Sequence, residues 1–382
     1  MKVKKLTVNQ TAKMINNTIE SSMNTLIRGI DGVMGTIGFG GRKADYDDEH
    51  YEFIGGANDE LRKKHYDKSL RLLWKAEQHA SWSSFNDCTR DEQLLQQMAD
   101  QTLNDQEKSQ MARIQSSEFK ELLDREYTQG EKQAIVNILS LIGHGEAYAW
   151  LVSNEVLRDV KSTGAKAALT MQVLEEAKHF VVLRELIHAF GMEVPRLPVW
   201  EYVILEGTLK ATGLEKFFGM NVLVEGIALS IFGAFSKYPG LEVLRMFHLD
   251  ESRHCALPTN YLKTKPLTWW EKNNPAAMIK RLMLVLPAIP LAMKIEADFA
   301  ELGIDVFEFG GSLVRKVIHL AYRVGFKLPL SEENMKALIN TVFNVYCSLT
   351  REGHKNRKFL DSETTVGAEE LAVEREVFDL AS

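Results

Sequence analysis

The sequence predicts an all-α protein, a core of four helices with additional helices at both ends. Three observations predict it. Glu146, then Glu176 with His179, then Glu225, then Glu251 with His254 follow one another, each in its own helical segment. Turn residues stand midway between the first two groups and midway between the last two. A long, proline-containing connector joins the two pairs. Four helices that each turn one group inward make a cage of four carboxylates and two imidazoles, the donor set of a di-metal site in a helix bundle.

The Glu-x-x-His pairs need weighing against chance. Ten histidines in a glutamate-rich chain give roughly one accidental pair at background frequencies. The chain has three, and helix geometry sets one aside. Glu185, of the pair Glu185/His188, follows Glu176 by nine residues and points to the opposite face at about 100° per residue. Glu176 and His179 are about 60° apart, close enough to grip one ion. The midpoint of Glu146 and Glu176 is residue 161, where Lys161-Ser162-Thr163-Gly164 stands; the midpoint of Glu225 and Glu251 is residue 238, where Tyr238-Pro239-Gly240 stands. Turns at those places bring the carboxylates of each hairpin to one height.

Taken in order, residues 1–28 read as a polar, weakly amphipathic helix. Gly29 to Gly41 holds six glycines in thirteen residues and reads as a linker or lid. Its Gly35-x-x-x-x-Gly40 is followed by Gly41-Arg42, so the phosphate-loop pattern fails. Asp45 to His50 reads as a solvated acidic loop, and Asp59 to Asp124 as polar helices wrapped outside the core. The first core helix carries Gly143 and Gly145 around His144, just before Glu146. Each glycine costs about 1 kcal/mol against alanine, which predicts either close approach of another backbone or room for a substrate. His144 lies about 160° from Glu146 and reads as a structural histidine.

The second core helix covers about 165–191. Glu175 sits about 100° from Glu176 and ranks behind it as a ligand. Val173 and Phe180 flank the site face; with Val222 and Leu229 of the third helix they form the predicted pocket. The connector, Met192 to Gly213, contains Pro195, Pro198 and an amphipathic piece near 200–211, enough to climb the core. In the third helix, about 214–237, Glu225 is a lone glutamate among apolar residues, costly to bury unless it is paired or metal-bound. In the fourth, about 241–262, Asp250 is expected to orient an imidazole on another helix, such as His179. His248, one turn before Glu251, is either an additional ligand or a core histidine.

After Pro266 further helices are expected over 311–325, 331–352 and 369–380. Leu282 to Met293 is apolar but interrupted by Pro287 and Pro290, and reads as a core or interfacial segment. With no run of eighteen apolar residues, no membrane span is expected. The domain boundaries read as an N-terminal helical extension over 1–130, the di-metal bundle over 131–265 and a C-terminal helical extension over 266–382. A net charge of −6 and a pI near 6.0 leave no footprint for nucleic acid. Cys88, Cys255 and Cys347 are far apart, which favours a reducing compartment without disulfides. The basic N-terminus lacks the apolar run of a signal peptide, so a cytoplasmic location is expected.

Over about residues 130–265 this ligand pattern resembles the ferritin-like di-iron carboxylate superfamily. Its members include the ribonucleotide reductase small subunit and its ligand-binding oxidase relatives, multicomponent hydroxylases, soluble acyl desaturases, rubrerythrins and arylamine N-oxygenases. The resemblance implies a ferritin-like four-helix bundle. It implies that Glu146, Glu176 and His179 hold one iron, that Glu225, Glu251 and His254 hold the other, and that Glu176 and Glu251 bridge them. Carboxylate and imidazole donors suit iron or manganese, so a mixed or an all-manganese pair is also expected to fit.

Several positions depart from particular families. Leu183 stands where a reductase small subunit would carry its radical tyrosine. Ala228 and Leu229 stand where hydroxylases and desaturases resemble each other in a threonine. His248 sits three residues before Glu251, one residue off the extra histidine of the N-oxygenases. The expectation is a di-iron oxygenase or oxidase that uses dioxygen on a small organic substrate, with an electron-donor protein as partner and a homodimer as its state. The alternatives are a ferroxidase, peroxidase or iron-binding protein, and a non-enzymatic helical protein with a structural metal site.

Overall fold

Every regular element among the described residues is a helix. The computed structural model describes residues 5–37, 114, 116–160 and 163–360. The acidic cluster Asp45 to His50, most of the polar stretch Asp59 to Asp124, Cys88, and the helix expected over 369–380 lie outside the described residues, as do Lys161 and Ser162 of the first turn.

The helices are α1 (Gln10–Ile37), α2 (Ser117–Glu126), α3 (Gln129–Asp159), α4 (Thr163–Ala189), α5 (Val199–Leu209), a composite α6 that begins at Glu215 and ends at Phe235, α7 (Leu244–Thr264), α8 (Trp269–Asn273), α9 (Pro275–Val285), α10 (Ala288–Glu301), α11 (Val306–Val324) and α12 (Glu332–Thr350). A capping box starts α3: Thr128 Oγ1 accepts from the Glu131 amide and Glu131 Oε2 accepts from the Thr128 amide. Both fill orphan amides of the first turn.

Helix α3 packs along α4, and α6 along α7; α7 also meets α4, and α6 meets α3, so these four close on one another. The turn between α6 and α7 contains Tyr238-Pro239-Gly240, and Gly240 takes φ +84°, open to glycine at little cost. Between the pairs, α5 lies against α3, α6 and α10. His144 donates from Nε2 to the Pro195 carbonyl at 3.0 Å, tying this connector to α3. His144 thus has the structural role expected of it. The glycine-rich segment differs from its reading as a linker: α1 continues through Gly29, Gly32 and Gly35 to Ile37.

The expectation that no segment could span a membrane is corrected. Among the described residues, three helices are long and apolar enough to cross one: Gln129–Asp159, Glu215–Phe235 and Pro275–Glu301. An unbroken apolar run ends at every glutamate, histidine or proline, whereas a helix tolerates one or two among many apolar neighbours. Pro287 and Pro290 illustrate this. They fall at the N-cap and in the first turn of α10, where no amide partner is lost, and helix resumes after a two-residue turn. The three differ in what covers them. In the first two, 83% of the apolar window is buried by the chain's own helices; in Pro275–Glu301 only 22% is.

Where α10 meets α3, Asp298 Oδ1 accepts from Asn137 Nδ2 at 2.8 Å. Burial pushes its carboxyl from 3.8 up to about 6. The native chain therefore holds this proton more tightly than the unfolded one. Stability is highest below the lower value, falls as pH rises to about 6, and stays lower above it. At one decade per 1.36 kcal/mol the cost is about 3 kcal/mol. Asp298→Asn keeps the acceptor and removes the charge. Calorimetry is expected to show a melting temperature several degrees higher at about pH 8 and little change at about pH 4. Equal shifts at both values would show that the carboxylate charge is not the cause.

Candidate metal centre

Six side chains from α3, α4, α6 and α7 meet at one depth: Glu146, Glu176, His179, Glu225, Glu251 and His254. Each is 3% exposed or less, which no set of four unpaired carboxylates would tolerate without compensation. Around His179, the Nδ1 atom lies 3.0 Å from Glu251 Oε1, 3.4 Å from Glu146 Oε2 and 3.6 Å from Glu176 Oε2. Around His254, Nδ1 lies 3.1 Å from Glu176 Oε1, 3.2 Å from Glu251 Oε2 and 3.7 Å from Glu225 Oε2.

The two sets overlap in a specific way. Glu176 and Glu251 each turn one oxygen to one imidazole and the other oxygen to the second. Glu146 belongs only to the His179 set and Glu225 only to the His254 set. Within each set the potential ligand atoms lie within 4.8 Å of one another.

The outer nitrogen of each ring is held by a carboxylate. His179 Nε2 donates to Asp250 Oδ2 at 3.1 Å, and His254 Nε2 donates to Glu175 Oε2 at 2.9 Å. With a metal bound, these bonds would leave Nδ1, which faces the cage, as the ligating atom of each ring. Arg253 joins the two supports, donating from Nη2 to Glu175 Oε1 at 2.7 Å and to Asp250 Oδ1 at 2.5 Å. Arg253→Ala is therefore expected to loosen both rings at once and weaken metal binding about 10–100-fold. Arg253→Lys, which restores charge without the fork, is expected to recover only part. Titration with a competing chelator measures this, and an unchanged affinity in Arg253→Ala would remove the linking role.

Protein atoms alone leave the cage unsatisfied. Glu146 Oε2, Glu176 Oε2, His179 Nδ1 and Glu251 Oε1 are buried without a hydrogen bond. Burial pushes the Glu146 carboxyl well above the ordinary range, against the pull of His179. Burial, with the charges of Glu176 and Glu251 behind it, does the same to Glu225. Glu176 goes the other way: burial opposes ionisation, but His254 and His179 together hold it well below. Ionised together, the four carboxylates would carry four negative charges, which two divalent cations would balance. The donors are oxygen and imidazole nitrogen; Cys255, though buried, is in neither set. The residues present fit two hard or borderline divalent ions.

Other predicted residues fall elsewhere. His248 is in neither set, and its Nδ1 donates to the Leu229 carbonyl at 2.9 Å. Glu175 is the support of His254, not a ligand. Glu185 is half-buried and His188 exposed, apart from both sets. The void next to the carboxylates is about 30 Å³ and lies on the α5 side, lined by Gly145, Glu146, Ala149, Val224, Glu225 and Ala228 among others. Val173, Phe180, Val222 and Leu229 do not line it. A Cβ on Gly145 would reach only Val224 at 3.9 Å, so this glycine provides room and not close approach.

Several contributors carry no motif of their own. Phe218–Val224 forms a π-helical turn directly before Glu225, and its wider winding changes which side chains face the site. Asn221, in that turn, donates to Gln172 Oε1 at 3.1 Å and to the His254 carbonyl at 3.0 Å. Gln172 Nε2 in turn donates to Glu176 Oε1 and Glu225 Oε1, both at 3.0 Å. Gln172 stands one turn before Glu176, a spacing that helical geometry could have singled out. Phe247 stacks on the His179 ring with centroids 4.1 Å apart, and Phe232 meets it edge-on. Glu201 of α5 lines the void; burial, reinforced by the Glu20 charge, raises its carboxyl well above the ordinary range.

No protein-family model, curated protein or solved structure matches the chain.

Proposed function

We propose that this chain is a di-iron oxidoreductase built on a ferritin-like four-helix bundle, and that it uses dioxygen to oxidise a small organic molecule. The observation that carries this reading is the sharing of Glu176 and Glu251. Each lends one oxygen to each of two imidazole-containing sets, the arrangement two adjacent ions require and two independent sites do not. By donor chemistry, Glu146 and His179 would hold one ion, Glu225 and His254 the other, with Glu176 and Glu251 between them.

Two iron ions supply, when bound, the binding and reduction of dioxygen. The chain's own residues supply the rest. Asp250 and Glu175 fix the imidazole rings, and Arg253 fixes Asp250 and Glu175. Phe247 and Phe232 keep water from His179. Gly145 leaves a space beside Glu146 and Glu225 that suits a diatomic molecule. Glu201, kept protonated by burial, holds a proton at the edge of that space.

A void of about 30 Å³ is far below the roughly 300–1,000 Å³ of ordinary ligand pockets. A cavity of about 780 Å³ is lined by Val203 and Gly207 of α5, while Ile204 and Leu205 of the same helix line the small void with Glu146 and Glu225. A substrate there would need α5 to shift. The small void favours a second reading, a ferroxidase with ferrous iron as its substrate.

Anaerobic loading with ferrous iron, followed by elemental analysis and oxygen uptake, tests the proposal. Two irons per chain and prompt oxygen consumption are expected. Metal bound without any oxygen consumed would sink the oxidoreductase reading and leave a structural site. Continued oxidation of excess ferrous iron, with no organic reductant present, would select the ferroxidase.

A further inference from the structure

Helices α8 and α9 present a surface that the metal centre does not explain. Trp269 and Trp270 are 73% and 60% exposed, and Met283 is 63% exposed. Along α9, Ile279, Met283 and Leu286 follow at intervals of four and three residues, so they form one outward stripe, while Arg281 and Val285 face inward and are buried. This is where Pro275–Glu301 combines membrane-like composition with little cover.

The tryptophans are not on a loose end. Thr268 and Glu271 form a capping box under them. Arg281 donates to the Glu271 carbonyl at 2.8 Å and to the Lys327 carbonyl at 2.9 Å, with its remaining donors on Glu215. These bonds fix the backbone that carries both indoles outward, at a cost in exposed apolar area that a solvated face would not carry.

Charge indicates what covers it. Lys265, four residues before Trp269, is exposed; Lys280, next to Ile279 on α9, is exposed; and Lys272, two residues after Trp270, is half-buried. The acid within the segment, Glu271, has its carboxylate engaged in the capping box, and Glu215 is engaged by Arg281. Indole rings at the level of the headgroups, flanked by lysines, are the composition of a bilayer interface.

We propose that the α8–α9 face docks on an anionic lipid bilayer. Trp269, Trp270 and Met283 enter the headgroup region, and the surrounding lysines meet lipid phosphate. Pro275–Glu301 is divided by a two-residue turn into α9 and α10, and the large exposed apolar residues stand on α9 and at its end, so the contact proposed is of α9 lying along the surface. This inference stands on the exposed face alone and does not depend on the metal chemistry.

The test is flotation of the full chain with vesicles of phosphatidylcholine alone and of phosphatidylcholine with phosphatidylserine. Binding to the anionic vesicles is expected to exceed binding to the neutral ones at least about tenfold and to weaken with salt. The double variant Trp269→Ser/Trp270→Ser is expected to lose binding about tenfold or more while keeping the wild-type melting temperature, because both side chains lie outside the core. Absence of flotation with either vesicle would overturn the proposal. So would flotation unaltered in the double variant. Sedimentation showing a dimer that the double variant dissolves, with no lipid binding, would assign the face to a second copy of the chain and overturn it equally.

Discussion

Replacing Glu251 with alanine is expected to abolish binding of both metal ions, whereas replacing Glu225 with alanine is expected to cost one. The difference follows from which oxygens face which imidazole. Glu251 turns Oε1 to His179 and Oε2 to His254, so its loss opens both sets. Glu225 faces His254 and not His179, so its loss opens one. The metal content of chains loaded with iron and then desalted reads the result directly. Thermal unfolding gives a second readout. An ion present at a thousand times its Kd stabilises a native chain by about 4 kcal/mol, a gain the Glu251 variant is expected to lose entirely. Two ions still bound to Glu251→Ala would dismantle the shared site.

Gly145→Val is expected to leave both ions in place and slow oxygen consumption by about tenfold or more, the equivalent of at least about 1.4 kcal/mol in the barrier. The new methyl groups would occupy the void of about 30 Å³ beside Glu146 and Glu225. The new Cβ would meet the Val224 side chain at 3.9 Å, ordinary van der Waals contact, and no backbone, so folding is expected to survive at a cost of about 1–3 kcal/mol. Stopped-flow oxygen uptake at matched iron content checks it. An unchanged rate at full iron content would mean that the reacting space lies elsewhere, and the 780 Å³ cavity lined by Val203 and Gly207 would become the place to look.

Both predictions concern residues whose importance reads differently from sequence and from structure. Glu251 was legible because a helix repeats. A histidine three residues after a glutamate shares its face, and turn residues at the midpoint of two such groups set their heights equal. Lone Glu225 was legible because an ion in an apolar helix must be compensated. Gly145 was half legible: two glycines beside a ligand predict either a close neighbour or a space, and only packing says which. Asp250 could be assigned to a ring on another helix, since its own helix turns it away from Glu251.

What the linear order hid were relations across helices and local changes of winding. Glu175 reads as a weaker ligand beside Glu176, yet it supports His254, because a neighbour on α7 happens to be in reach. The π-helical turn at Phe218–Val224 leaves no mark in a pattern that assumes a constant 3.6-residue period. It moves Val224, not Val222, to the edge of the void. The prolines at 287 and 290 read as interruptions because a proline removes an amide, but within a first turn that amide has no partner to lose.

The sequence by itself therefore determined that the chain is helical, which four segments carry the six cage residues, and which of three Glu-x-x-His pairs points away. These follow from period and spacing, which are properties of single helices. Tertiary structure decided how the six meet, which carboxylates are shared, what holds the imidazole rings, where space remains beside them, and which apolar helix stays uncovered. Those depend on distances between segments far apart in the chain, which are set by how the helices pack against one another.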